Sequence, residues 1–167
     1  MKNFLSLAIL FCLVFTYAVE ENINGQNGVT NLSGPRLGVT LITGKSATTL
    51  EEDFDAIPII SQFGWQFEWR FYSIEGASTG IVEFVPLIGG VEQGLFLPSL
   101  SGLIGIRGPK GTEFGIGPNI SITGAAIVAA VGVTKQAGQL NIPFNFAVVA
   151  SKEGYRFSFL IGFNVAR

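Results

Sequence analysis

The sequence predicts an all-β protein, an eight-stranded antiparallel up-and-down transmembrane β-barrel that follows a cleaved signal peptide. Three observations carry this expectation. Hydrophobic alternation of period two runs through most of the chain, bulky rings and small or polar residues occupy opposite phases, and the connections between alternating runs are short. The composition agrees. Of 167 residues, 48% are hydrophobic and only 13% charged, which excludes a disordered, charge-driven chain.

The N-terminus reads as a targeting segment. Met1 and Lys2 precede an apolar run from Phe4 to Phe15, and Thr16-Tyr17-Ala18 supplies small residues for cleavage after Ala18. The run is too short to span a bilayer as a helix. Residues 1–18 are thus a signal peptide, 19–35 a flexible lead-in with Asn24-Gly25 and Asn27-Gly28, and 36–167 the barrel. Cys12, the single cysteine, lies within the signal, so the mature chain enters an oxidising compartment without disulfides.

Each strand follows from its alternation. Leu37, Val39 and Leu41 alternate with Arg36, Gly38 and Thr40. Phe63, Trp65, Phe67, Trp69 and Phe71 form a wholly aromatic phase against Gly64, Gln66, Glu68, Arg70 and Tyr72. Residues 81–88 and 125–134 are apolar on both phases and complete the central pattern. Between them, 95–107 sets Phe96, Leu100, Ile104 and Ile106 against Ser99, Ser101, Gly105 and Arg107, and 112–122 sets Phe114, Ile116, Ile120 and Ile122 against Glu113, Gly115, Gly117 and Asn119. The last two runs, 140–149 and 155–165, form a hairpin around 151–154, and the final one carries Tyr155, Phe157, Phe159, Ile161 and Phe163 on one phase. No segment reads as a helix. The stretch from Lys45 to Asp55 is the one long loop, and the short connections favour a meander over parallel crossovers.

Side-chain size decides which phase faces inward. An eight-stranded barrel leaves room only for side chains to fill its interior, and a lumen taking the rings of several strands would be overfilled. The rings Phe63, Trp65, Phe67, Trp69, Phe71, Phe157, Phe159 and Phe163 therefore face lipid. Charge placement agrees: Lys45, Lys110, Lys135 and Lys152 fall in turns, and the strand arginines share the small-residue phase. A symmetric connection after residue 73 sets Arg70 opposite Glu83, with Arg107 and Glu113 in diagonal reach. Arg36, Glu68, Arg70, Glu83, Arg107 and Glu113 are expected to form a lumen network near the barrel end that holds the termini. Buried charges of this kind are ordinarily paired for structure; a proton or ion path is the sharper reading. Pro86, Pro98, Pro118 and Pro143 lie inside these strands, each lacking a ladder donor, and bulges are the expected accommodation.

With the leader, the eight alternating runs and the closing strand at 155–165, the chain resembles small bacterial outer-membrane β-barrel proteins over residues 36–167. The resemblance implies export to a bacterial outer membrane with lipid as partner. It assigns no activity, since that group includes anchors, adhesins, narrow pores and lipid-modifying enzymes.

The residues present exclude much chemistry. Histidine is absent, so no histidine base serves a hydrolase or acyltransferase, and past Cys12 there is no thiol. No catalytic residue, cofactor or metal site is expected. Glu51, Glu52, Asp53 and Asp55 lack the calcium-loop spacing and read as a solvated acidic loop. That loop is the expected protein contact. Ten basic residues against twelve acidic ones leave no footprint for nucleic acid. The alternative is a secreted soluble barrel with its rings inside, binding a small apolar ligand near Trp65 and Trp69. Its secretory route would give meaning to the glycosylation patterns at Asn31 and Asn119.

Overall fold

The computed structural model describes residues 31–73 and 78–165. The expected signal at 1–18 with Cys12, most of the expected lead-in, and Arg167 lie outside the described residues. The strands are β1 (Gly34–Ile42), β2 (Ile59–Ser73), β3 (Thr79–Gly89), β4 (Leu97–Arg107), β5 (Thr112–Ser121), β6 (Gly124–Ala137), β7 (Leu140–Ser151) and β8 (Gly154–Gly162). Each pairs antiparallel with its sequence neighbours, and β1 pairs with β8, so the meander closes into an eight-stranded up-and-down barrel. Asn164–Val165 resumes the β8 register against Leu140 and Asn141.

The closure has a definite stagger. From Arg36, the paired residues lead one way through Gly64, Leu87, Ser99 and Ser121 to Gly124. In the other direction they lead through Gly162, and in the same register Pro143, to Thr134. The two routes reach β6 ten residues apart, from 124 to 134. With eight strands this stagger tilts each by roughly 40° and leaves a backbone wall about 8 Å from the axis.

The helix is a correction to the sequence reading. Residues Lys45–Phe54 form α1, lying across the barrel end that carries the β1–β2, β3–β4, β5–β6 and β7–β8 connections. Ala47, Leu50 and Phe54 recur at helical spacing, and Leu50 is buried against Ile42, Ala56 and Ile60. Asp55, in the left-handed region at φ 50°, ends the helix. A 3-10 turn at Val91–Gln93 lies at the same end. The opposite end carries tight connections, among them the Gly108–Gly111 turn.

Three further details differ. Residues 31–33 join the barrel: Leu32 is buried, and Ser33 Oγ accepts the Glu68 N–H at 2.9 Å. Lys135 belongs to β6, on the outward phase two residues from its end. The prolines occupy missing rungs without bulges. Pairing skips Val85 and Pro86 against Trp65 and Gln66, then resumes unshifted, and does the same at Gly117 and Pro118 against Gly102 and Leu103. Pro98 lies just beyond the last β4–β5 pair, and Pro143 at the interruption between β8 and Asn164. A missing N–H affects only the neighbour it would have faced, so one dropped rung on that side suffices.

Glycine permits the closing seam. A Cβ at Gly38 would collide with the Phe159 carbonyl oxygen and the Leu160 Cα of β8, whereas one at Gly102 meets nothing within 4 Å. Gly38→Val is therefore expected to destabilise the barrel by about 3 kcal/mol or more, the upper end for overpacking. Gly102→Val changes stability by less than about 0.5 kcal/mol. Urea unfolding followed by tryptophan fluorescence measures both.

Candidate functional site

Alternation on a closed sheet sends every second side chain inward, and here the inward set is a polar, charged group beside an aliphatic cluster of Val85, Leu87, Leu103, Val128, Val149 and Leu160. Arg36, Thr40, Gln62, Gln66, Glu68, Glu83, Arg107, Glu113 and Asn119 are all buried, while Trp65, Trp69, Phe114 and Phe163 on the opposite phase are exposed. The rings therefore do not fill the lumen, as the soluble alternative requires. Of the eight aromatics assigned outward, Phe157 is half-buried and the other seven are exposed.

Arg107 is the centre of the lumen. Its Nη1 and Nη2 donate to the two carboxylate oxygens of Glu68 at 2.8 and 2.5 Å. Its Nε and Nη2 donate to Glu113 Oε2 at 3.0 and 2.7 Å. Glu83 Oε1 is 4.0 Å from the same Nη2 and accepts from Gln66 Nε2. Gln66 Oε1 in turn accepts from Arg36 Nε at 3.1 Å. Arg36 also donates to the carbonyls of Leu32 at 2.9 Å and Pro35 at 3.0 Å. On the far wall, Asn145 Nδ2 donates to Glu113 Oε1 at 2.5 Å. The connected set crosses the lumen and ties together six of the eight strands. Glycine makes the space, since a Cβ at Gly162 would meet the Arg36 guanidinium and one at Gly132 would meet Glu113 and Asn145.

Five of the six residues expected in this network are together in it. Arg70 is not: it is exposed, near the outer end of β2. The β2–β3 register is offset from the symmetric one, pairing Glu68 with Glu83 and Arg70 with Ile81. A register shift between Arg70 and Tyr72 makes the connection asymmetric. Arg107 and Glu113 are directly opposite each other rather than diagonal. Gln66 and Asn145 also belong to the network, and each shares the inward phase of its strand, the signal by which alternation places them in the lumen.

Towards the α1 end the lumen opens. A cavity of about 60 Å³ lies above the charge network, and one of about 220 Å³ lies beneath α1; Thr40, Gln62, Ser99 and Arg156 line both. Thr40 Oγ1 donates to Gln62 Oε1 at 2.6 Å and lies 2.7 Å from Ser158 Oγ across the closing seam. Arg156 Nη2 donates to Asn119 Oδ1 at 2.6 Å. Asn119 is thus buried inside the barrel and occupied, which is incompatible with carrying a glycan.

The acids of α1 are dispersed. Glu51, Glu52, Asp53 and Asp55 are exposed, and no cluster of potential metal ligands occurs among the described residues. Nearby, Glu92 fastens the 3-10 turn to the start of β2. Its Oε1 accepts the Ser61 N–H at 2.7 Å and its Oε2 accepts the Ser61 hydroxyl. These bonds to Ser61, the hydroxyl one foremost, hold the Glu92 carboxyl down at about 2.

The chain matches no protein-family model, no curated protein and no solved structure.

Two predictions arise from this geometry. Arg107→Met leaves Glu68 and Glu113 buried without their cation and is expected to cost about 3–5 kcal/mol in urea unfolding. Adding Glu68→Gln and Glu113→Gln to that variant restores most of the loss. At the mouth, a folded-state value below the ordinary carboxylate value means Glu92 stabilises the turn fully above pH 4.5, an effect lost as pH falls through about 2. Carboxyl-carbon NMR titration should place the Glu92 midpoint near that value, and Ser61→Ala should raise it.

Proposed function

We propose that the protein is an integral β-barrel of a bacterial outer membrane, with a structural or interaction role and a lumen plugged by paired charges. The inversion of polarity carries this reading: charges line the inside, and a continuous apolar surface covers the outside. On β2 the outward phase runs from Ile59 to Phe71 and is apolar at every position except Ser61. Twelve residue rises at the observed tilt span roughly 30 Å, which matches a hydrocarbon core. A lipid-facing arginine or lysine near the midplane would cost about 2–4 kcal/mol. The one outward-phase charge among the described strand residues, Lys135, sits at a strand end.

The two ends support the same reading. Short turns, Asn31 and Val165 occupy one end, and the larger connections occupy the other, the asymmetry of barrels with short periplasmic turns and longer external loops. In that orientation α1 faces outward from the cell, its exposed Glu51, Glu52 and Asp53 being the contact offered to a protein partner. The Arg107 cluster blocks the lumen, so the role is not that of an open diffusion pore.

Trp65 lies near the centre of the apolar band and Trp69 roughly 10 Å nearer the end opposite α1. In lipid vesicles, the Trp69→Phe variant, which retains Trp65, should be quenched most by deeply placed bromolipids. The Trp65→Phe variant, which retains Trp69, should respond most to shallower ones. Solubility without detergent, with both tryptophans indifferent to lipid quenchers, would overturn the membrane reading.

A further inference from the structure

Arg156 is the inward-facing arginine that the charge network does not use. Arg107 has two carboxylates within 3.0 Å, and Arg36 is enclosed by Gln66 and backbone carbonyls. Among the described residues, Arg156 has only the neutral Asn119 oxygen as a hydrogen-bond acceptor, and no carboxylate lies within 4.0 Å of it. A half-buried guanidinium carries a desolvation cost that a neutral amide offsets poorly. It therefore has donors to spare for an anion.

What surrounds Arg156 defines that anion. On its inner side is the cavity of about 60 Å³, where Thr40, Gln62 and Ser158 offer polar groups among aliphatic Val85, Leu87, Leu103 and Leu160. Glu83, also in that wall, is engaged by Gln66 Nε2 and lies 4.0 Å from Arg107. On its outer side is the cavity of about 220 Å³ beneath α1, whose wall is largely aliphatic, from Ile42, Leu50, Ile60 and Leu97. The geometry points to a binding site at the barrel mouth for a single-chain amphiphile: a carboxylate head on the Arg156 fork and a short aliphatic tail beneath α1. The planar fork of arginine matches two carboxylate oxygens. The head stays on the fork itself, at the junction of the two cavities that Arg156 lines. Glu153, the one acid lining the outer cavity, lies at the rim, 3.9 Å from Lys45 and turned to solvent. The site is internal to the barrel and does not depend on what surrounds its outer face.

Octanoate is the probe, with octan-1-ol and acetate as controls, applied to the folded protein carrying ¹⁵N-labelled arginine. Octanoate is expected to shift the Arg156 Nε–H resonance saturably and to leave those of Arg36 and Arg107 in place. Octan-1-ol, lacking the charge, and acetate, lacking the tail, should each bind at least tenfold more weakly. Arg156→Gln should weaken octanoate binding at least tenfold, with Arg156→Lys intermediate. The proposal is overturned if octan-1-ol binds as tightly as octanoate, if the Arg156 resonance does not respond, or if Arg156→Gln binds octanoate like the parent. Should Arg156→Gln not fold, the comparison of the three probes on the parent protein decides alone.

Discussion

Two carboxylates from different strands, Glu68 on β2 and Glu113 on β5, meet on one guanidinium from β4, and the rest of the lumen is arranged around that meeting. The space is narrow and largely closed to water, so removing any one charge leaves the others without compensation. The surrounding side chains complete the requirement: Gln66 relays between Arg36 and Glu83, and Asn145 satisfies the second oxygen of Glu113. The glycines at 132 and 162 belong to the same constraint, because the long charged side chains need the volume a Cβ would occupy.

The outer surface obeys the opposite rule. A barrel that concentrates its charges within has a wall of rings and branched aliphatics without, and the Trp65, Phe67 and Trp69 rings succeed one another with centroids 6.3–6.4 Å apart. The polarity of each strand is therefore set twice, by what the lumen must neutralise and by what the exterior must avoid. The interior is apolar in two places: around Val85, Leu87, Leu103, Val128, Val149 and Leu160 inside the barrel, and at the α1 end, where Leu50 and its neighbours shelter a cavity instead of filling it.

Much of this architecture can be read from the residues because a period of two is unambiguous when rings alternate with glycine, serine and asparagine. All eight strands and their inward phase follow from it. Register is harder to read, since it depends on the turn. A shift at Arg70 and Tyr72 moves the β2–β3 pairing and places Glu68, in place of Arg70, opposite Glu83. The helix escapes a reading tuned to alternation because its apolar face has only Ala47, Leu50 and Phe54, set among threonines and acids. The role of Arg156 also lies beyond the sequence, for its isolation from the other charges depends on how far along the tilted barrel each strand carries its side chains. The prolines look disruptive in one dimension, yet in the sheet each faces a rung that is absent.

The seam between β1 and β8 joins residues 118 positions apart, as Thr40 and Ser158 show. Such a pairing demands the largest loss of chain freedom in the molecule, whereas every other pair of neighbouring barrel strands is consecutive along the chain. Assembly is thus a zipper with one distant clasp. The clasp fits in a single alignment, because β8 backbone occupies the place a side chain at position 38 would need. A sheet that slid along this seam by two residues, the smallest step that keeps every side chain on its own face, would present β8 with Arg36 or Thr40 in place of the glycine. Gly38 thereby acts as a notch that sets the circumference, and with it the alignment of every charge across the lumen.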